Sequence, residues 1–541
     1  MPNTTRRYRF RRILLGATAL LLLGAGAFVF YVYLNYESIV RSKIEQALPE
    51  TLSIDFGSLT VNPGAGHAAI DNLTVLYGHP GHTDRYHSMK IDRLEAHGIG
   101  IVSLIFRDRL VIDKITMQGG QLVIDNALLN DSTLKDSTIK PQTKETSAEG
   151  LTRIDIGAIQ TDDLNLLVKG DSLNVCSMLA GFHIRHLGID LGNTPVKLTD
   201  VAYKIVSVGA DSIRYNPEGG AYRYNVGGMR YENDSLQLIA LSLKANHPKY
   251  EFAHHAGKQI DVFDLEVDSV RIIRFPAPVP GDSVVEAERI VVVRPSLHVF
   301  RDRRMPFIKN HTEPLPMVRF QKLPLAVRVG AVDIVDARIV YEEFPEEGTQ
   351  SGSIAFDHLY AHFEGVDNRE KEFNRFINLD VNTRFMKSGH LKARFAFPKN
   401  PRNHYYAEGT LDNMELTQLN PTLENLAKVR IESGRMNTMH FNFDYDDDVS
   451  NGSVMMLYEN LEMMALKEKD NVEEKDGLKS FFLNVLFARK NKNDEVRTAK
   501  RDGTISFERD KKRSIFNYWW KSLATGIKSG NSINEILDGG R

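Results

Sequence analysis

The chain has 541 residues, and its 68 Lys and Arg residues against 70 Asp and Glu residues give a formal net charge of −2. This balance supplies no global basic field, which excludes nucleic-acid binding driven by overall charge. The one cysteine, Cys176, excludes an internal disulfide, and the length suffices for two or three ordinary domains or one long one.

Residues 1–34 predict an Arg-rich cytoplasmic tail and a transmembrane anchor. Arginines between Arg6 and Arg12 precede an uncharged run from Ile13 to Leu34, which is long enough to cross a bilayer as a helix. The arginines are expected to stay in the cytoplasm, which places the rest of the chain on the far side. The alternative is a signal peptide that is cleaved at the A-x-A motif Ala25-Gly26-Ala27. The apolar run continues through Leu34 and favours the anchor.

Residues 35–50 predict a short membrane-proximal helix that Pro49 ends, because Val40, Ile44 and Leu48 form one apolar stripe. Residues 51–124 then predict a first β module. Residues 125–150 are rich in Ser, Thr, Lys, Asp and Glu and have almost no apolar periodicity. This composition predicts a flexible linker or a long surface loop.

A repeated strand pattern organises the rest of the chain, and Ala326 to Tyr341 shows it best. Its apolar residues alternate, with two steps of three, one of them from Val329 to Val332. Alternation indicates a strand with one buried face. A step of three fits either a bulge or a two-residue hairpin turn. We predict that the repeated unit is a one-faced hairpin, used many times from Met89 onward.

This pattern predicts a central β-groove over residues 151–416 and a C-terminal β module with amphipathic helices over residues 417–541. Asn420 is expected to be the N-cap of a short helix with Pro421 at its first position. The last helix, residues 514–528, has two interpretations. It either docks its apolar stripe on the sheet or lies in a membrane interface through Phe516, Trp519 and Trp520.

No catalytic, cofactor or metal site is predicted. His79, His82, Asp84 and His87 read as a polar loop, and the acidic residues at 444–448 read as a solvated hairpin tip. The common phosphate-binding, serine-nucleophile and zinc-protease motifs are absent from the sequence. We therefore predict a protein that is not an enzyme. A periplasmic hydrolase assembled from dispersed residues is the weakest alternative.

The chain resembles the AsmA/TamB-like family of bacterial envelope proteins, in a Bacteroidota-type form. The resemblance is carried by the anchor followed by Leu52–Phe56, by the run from Met89 to Ile101, by Gly409–Leu416 with Leu419-Asn420-Pro421, and by the final GTISFERDKKRSIFNYWWKSLATGIKSG. The centre matches only in strand rhythm. Related proteins are regarded as bridge-like lipid transfer proteins, and the family brings no cofactor and no catalytic residue.

The resemblance implies a mainly β fold, a long twisted antiparallel repeating β-groove with an N-terminal transmembrane helix and a few short C-terminal helices. It implies a single-pass protein of the bacterial inner membrane, with its N-terminus cytoplasmic and its bulk periplasmic. The expected function is to shield acyl chains and mediate phospholipid movement between the envelope membranes. The alternative is an envelope scaffold or assembly factor for outer-membrane proteins without lipid transport.

The expected partners are phospholipid acyl chains, the inner membrane and an outer-membrane or envelope protein, with no nucleic acid. One-faced strands need a cover for their apolar face, which a closed sandwich or a lipid chain can provide. Exposing a sixteen-carbon chain to water costs on the order of 12 kcal/mol, at about 0.8 kcal/mol per methylene. The residues that we expect to line a lipid groove are Ile112, Ile115, Met117, Ile156, Ile159, Val262, Leu265, Val267, Val329, Val332 and Ile334.

Overall fold

A computed structural model gives the fold of the described residues. These are residues 52–62, 65–79, 82–100, 103, 107, 109–125, 152–170, 174–190, 201–217, 219–276, 284–307, 312–400, 402–466 and 498–533. The predicted anchor at 13–34, the helix at 35–50 and the linker after Asp125 lie outside them. Within the described ranges, no helix is both long enough and apolar enough to cross a membrane.

The fold is mainly β, and most strand pairs are antiparallel, as the sequence predicts. The chain forms two compact units, one ending at Ile239 and one beginning at Ala240. This boundary falls inside the predicted central module of residues 151–416 and within the strand β11 (Ser235–Ala245).

Unit 1 is a sheet built in chain order. Its strands are β1 (Leu52–Asp55), β2 (Ser58–Asn62), β3 (His67–His79), β4 (His82–Ile99), β5 (Arg109–Gln118), β6 (Gln121–Asp125), β7 (Arg153–Lys169), β8 (Asn174–Asp190), β9 (Val201–Tyr215) and β10 (Tyr222–Glu232). The strands β1 and β2 both pair with β3, and β5 and β6 both pair with β4 and with β7. Each such couple therefore occupies one strand position in the sheet.

Unit 2 continues the same construction and adds helices. Its strands after β11 are β12 (Asp261–Ile273), β13 (Val284–Val293), β14 (Ser296–Asp302), β15 (Ala326–Phe344), β16 (Gly352–Asp367), β17 (Phe376–Phe385), β18 (Gly389–Pro398), β19 (Tyr405–Glu415), β20 (Val429–Tyr445), β21 (Val449–Ala465), β22 (Thr498–Glu508) and β23 (Asn531–Ile533). Its helices are α1 (Lys249–Ala256), α2 (Pro316–Gln321), α3 (Asn420–Leu426) and α4 (Ile515–Ser529).

The predicted hairpin unit is wrong, because its two halves form one long strand with kinks. The strand β15 runs without a break from Ala326 to Phe344, and the step of three from Ile334 to Ala337 is a bulge at Asp336, whose φ is 55°. A residue in that conformation resets the alternation, so the apolar side chains before and after it share a face. The bulge alternative, which the same spacing allowed, is the one that the structure adopts.

The kinks line up across neighbouring strands, and the two units place them alike. In unit 2, Arg294 at the break between β13 and β14 has a φ of 46° and forms an ion pair with Asp268 of β12 at 2.5 Å. In unit 1, the corresponding break at Gly119 and Gly120 separates β5 from β6, and the Gly119 amide donates to Asp163 of β7 at 2.8 Å. Each row of kinks therefore crosses several strands together, which keeps their side chains in phase.

Two pairings depart from the predicted antiparallel arrangement. The β5–β6 couple is parallel to β7, and the β13–β14 couple is parallel to β15. A parallel pair needs a crossover between its strands instead of a tight turn. The long connections that the sequence shows after Asp125 and between Asp302 and Ala326 lie at these two places.

The short helix α3 is not capped as predicted. Asn420 has helical dihedral angles and its side chain makes no cap bond; instead its amide accepts from Ile431 N at 2.8 Å and donates to Ile431 O at 2.8 Å. These bonds tie the start of α3 to β20. The helix α4 does have a side-chain cap, since the Ser514 hydroxyl accepts from Asn517 N.

Candidate functional site

One face of the unit 2 sheet is apolar across every strand position from β12 to β22. Paired residues lie on the same face, so a row can be followed from strand to strand. Such a row runs through Ile290, Val332, Phe363, Leu379, Phe395, Ala407 and Phe443. We call this surface the apolar face.

The helix α4 and the segments around α2 and α3 pack on the apolar face at its β17–β22 end. Trp519 of α4 stacks on Phe395 with ring centroids 4.6 Å apart, and Tyr445 is completely buried between Tyr405 and Tyr518. The hydroxyls of Ser450 and Ser522 add a hydrogen bond of 2.7 Å between the sheet and the helix. This end of the apolar face is therefore a closed protein core.

The β12–β16 end of the apolar face is only half-buried. The helices that pack on unit 2 contact chiefly β16 and β20 to β22, and α1 packs on the opposite face. The half-buried strip, as we name it, consists of the apolar-face residues of β12 to β16. It includes Leu265, Val270, Ile272, Ile290, Val292, Leu297, Val332, Ile334, Ile339 and Phe356. Phe363 of β16 already packs against the closed core.

The predicted lining residues other than Val262 divide into three groups. Leu265, Val332 and Ile334 belong to the half-buried strip. Val329 and Val267 lie at its kinks and are buried, with 2% and 7% of their surface exposed. The five residues of unit 1, which are Ile112, Ile115, Met117, Ile156 and Ile159, lie together in a separate core with at most 4% exposed.

Val262 is the one predicted lining residue that lies on the other face of the sheet. The strand β12 pairs with β14 without a bulge from Asp261 to Glu266, so Val262 and Leu265 point to opposite sides. Val262 pairs with Phe300, whose ring packs edge-on against Tyr250 of α1 at 5.1 Å. The sequence could not show this small second core, because α1 lies far from β14 along the chain.

Charged groups close one end of the half-buried strip. Arg301 donates two hydrogen bonds of 2.7 Å to Asp261, and the Tyr341 hydroxyl donates to Glu343 at 3.0 Å. Burial raises the pKa of Tyr341 far above its usual value, so this hydroxyl remains a donor at neutral pH. Burial also lowers the pKa of nearby Arg513. The strip is therefore apolar along its length and ends at a group of charged side chains that pair with one another.

The opposite face of unit 2 carries a concave region of about 770 Å³ that crosses β15 to β20. Its polar side chains form ion pairs, including His362 with Asp333 at 2.7 Å and Arg394 with Asp380 at 2.9 Å. Partial burial acts to raise the pKa of Asp333, but hydrogen bonds from Arg289 and His362 outweigh it and lower that pKa. The charges compensate one another, as expected on the solvated face of a sheet.

The polar clusters singled out in the sequence have structural roles where they are described. His87 accepts a hydrogen bond from Asp125 N at 3.1 Å, and burial lowers its pKa. Asp446 accepts from the amides of Asp448 and Val449 and so shapes the turn between β20 and β21. The side chains of His79, His82 and Asp84 lie outside the described residues.

Two groups of described residues could hold a metal ion, and neither group was predicted from the sequence. One is His67, Glu95 and His97 on β3 and β4, and the other is His247, Glu251 and His255 at α1. In each group the ligand atoms all lie within 4.8 Å of one another. The sequence does hold one sign of the first group, which is the spacing of Glu95 and His97. Alternate residues of a strand share a face, so this spacing places the two side chains side by side.

Only one of the three residues predicted for a membrane interface is well exposed to solvent. Trp519 and Trp520 are half-buried and pack against the unit 2 core, while Phe516 has 73% of its surface exposed. In the structure, the last helix therefore docks on the sheet, which is the first of its two interpretations. Its apolar stripe faces β21 and β22.

Comparisons with known proteins add no relative. No family model, no curated protein and no solved structure matches the chain. The resemblance to the AsmA/TamB-like family therefore stays a prediction from the sequence.

Proposed function

We propose that this chain is an anchored protein of the bacterial inner membrane that shields phospholipid acyl chains on its half-buried strip and mediates their movement between envelope membranes. The observation that carries the proposal is the contrast within unit 2. Helices complete the core at the β17–β22 end of the apolar face, whereas at the β12–β16 end the apolar side chains stay half-buried.

The strip is wide enough to cover much of one acyl chain. The positions of β12, the β13–β14 couple, β15 and β16 are separated by three spacings, which make about 14 Å at roughly 4.8 Å each. A sixteen-carbon chain gains up to about 12 kcal/mol when it leaves water completely. A half-buried strip shields one side of the chain, so part of this free energy is available to hold the lipid.

Unit 1 contributes less to the proposed acyl site. Its apolar residues are packed against one another, and Leu110 and Ile112 expose none of their surface. We therefore place the acyl site in unit 2. Support for the anchor and the periplasmic location comes from the sequence of residues 1–34 and from the family resemblance.

Photocrosslinking tests the acyl site directly. A photoreactive amino acid in place of Val332 or Leu265 is expected to form adducts with phospholipid in cells, because both positions belong to the half-buried strip. Arg338 is the matched control, since it lies on the same strand β15 but on the polar face, where its guanidinium contacts Asp357 at 3.3 Å. The measurement is mass spectrometry of the adducts.

Lipid adducts at Val332 and Leu265 but not at Arg338 support the proposal. Equal labelling at all three positions, or none at Val332, contradicts it.

A charge in the strip, Ile334→Glu, separates the proposal from the scaffold alternative. Lipid capture and function are expected to fall together, whereas a scaffold that uses only its strand edges keeps its function.

A further inference from the structure

The pair His67 and His97 lies at the start of β3 and near the end of β4, on the polar face of unit 1. The two residues are direct cross-strand partners, and their ring centroids are 4.6 Å apart. Glu95 is two residues before His97 on the same strand and therefore shares its face. Three ligand side chains thus converge from two hydrogen-bonded strands.

The backbone beneath these side chains is held firmly. Ala68 and Ala96, the next cross-strand pair, expose none of their surface in the unit 1 core. Gly66 and Gly98 have φ values of 59° and 68°, and the Ile99 amide donates to Gly66 O at 3.0 Å. Glycine adopts this conformation without strain, and the hydrogen bond from Ile99 to Gly66 joins the two chain segments beside the site.

Glu95 is oriented by a neighbour. Arg93 donates to one carboxylate oxygen, Oε1, at 2.6 Å, and also contacts Asp71 at 2.9 Å. The other oxygen, Oε2, lies 3.3 Å from His97 Nε2. An outer partner that fixes one oxygen and leaves the other for the ion is common in metal sites.

We propose that His67, Glu95 and His97 form a Zn²⁺ site with one coordination position left open. Two imidazole nitrogens and one carboxylate oxygen match the ligands that zinc prefers in open sites. A tetrahedral ion needs these atoms about 3.4 Å apart at bond lengths near 2.1 Å, which side-chain rotation provides from the present spacing. Lys114, the cross-strand partner of His97 on β5, adds a nearby cation that limits the affinity.

The α1 group is the rival site. His247, Glu251 and His255 are exposed, and His247 precedes the first helical residue, Lys249. Zinc favours convergent ligands on a rigid frame, which favours the two strands over the end of a short helix. Removing His247 and His255 therefore gives a matched control.

The test uses the full chain in detergent after treatment with a chelator. Co²⁺ is titrated with visible absorption as the readout, and Zn²⁺ is measured by competition and by its effect on Tm. The His67→Ala/His97→Ala variant is expected to lose at least tenfold in affinity and to lose the rise in Tm. The His247→Ala/His255→Ala variant is expected to keep both.

Unchanged binding in the first double variant, or loss of binding in the second, overturns the proposal. Glu95→Gln guards against a folding defect, since it keeps the size of the side chain and removes its charge. A tenfold or greater loss with an unchanged circular dichroism spectrum supports the three-ligand site. Wild-type affinity in Glu95→Gln rules it out.

Discussion

Deletion of Asp336 is expected to unfold unit 2. The kink at Asp336 is matched by kinks in the neighbouring strands, including His358 of β16 with a φ of 49°. Without this residue, the part of β15 that follows shifts by one position and every side chain changes face. Ile339 and Tyr341 then meet water, and Arg338 and Glu342 meet the apolar face.

The cost of this change is large. Each apolar side chain moved into water loses about 1.5–3 kcal/mol, and each charge buried without its partner costs about 3–5 kcal/mol. The sum approaches the whole stability of an ordinary domain. Urea unfolding followed by circular dichroism and tryptophan fluorescence measures it. Both tryptophans of the chain, Trp519 and Trp520, lie on α4 in unit 2.

Asp336→Gly is the control for the deletion. It keeps the residue count and relieves the left-handed conformation, but it loses the contact of Asp336 with His358 at 2.8 Å, so we expect a change within about 1 kcal/mol. If the deletion unfolds at the same urea concentration as the wild type, the kink does not set the phase of β15.

Gly503→Ala is expected to displace α4 from the sheet. A Cβ at Gly503 of β22 would lie 1.8 Å from the carbonyl oxygen of Gly526 in α4, and one at Gly526 would lie 2.6 Å from Val454 Cγ1. The two backbones therefore touch without any side chain between them. Because a contact of 1.8 Å cannot be relieved by rotating a side chain, the helix must move as a body.

We expect Gly503→Ala to cost at least about 3 kcal/mol, the upper end of ordinary overpacking. The movement also breaks the two bonds of 2.8 Å that the Ser529 hydroxyl makes with the Thr504 backbone. A red shift of the tryptophan emission before unfolding is the specific readout. Ser506→Ala, on the exposed face of the same strand, is expected to leave the emission and the stability unchanged. An unshifted spectrum in Gly503→Ala contradicts the close approach.

The sequence predicted the strands well because a period of two is a local property. It also located the kinks, as the step from Ile334 to Ala337 shows. It could not separate a bulge from a hairpin, because the residues with positive φ include Asp336, His358 and Arg294 instead of the Asn-Gly or Asp-Gly pairs typical of tight turns. The sequence could not predict the parallel pairings either, because they depend on contacts between segments that lie far apart in the chain.

The candidate sites divide in the same way. Leu265 and Val332 were placed on the apolar face correctly because they repeat with the strand. Val262 was assigned to the wrong side because α1 covers a second apolar patch beside Phe300 and Phe344. The group around His67 was missed because its members are brought together only by the pairing of β3 with β4.

The matching rows of kinks give the two units a common plan. In each unit, a long strand, a divided strand, a crossover and a second long strand follow in that order, and Gly157 and Asp163 of β7 stand where Gly330 and Asp336 stand in β15. The two units therefore share one order of elements and one spacing of kinks. Each unit carries its own phase-setting residues, so the loss of a residue at one kink turns over side chains in its own unit and leaves the apolar side chains of the other unit on their own face.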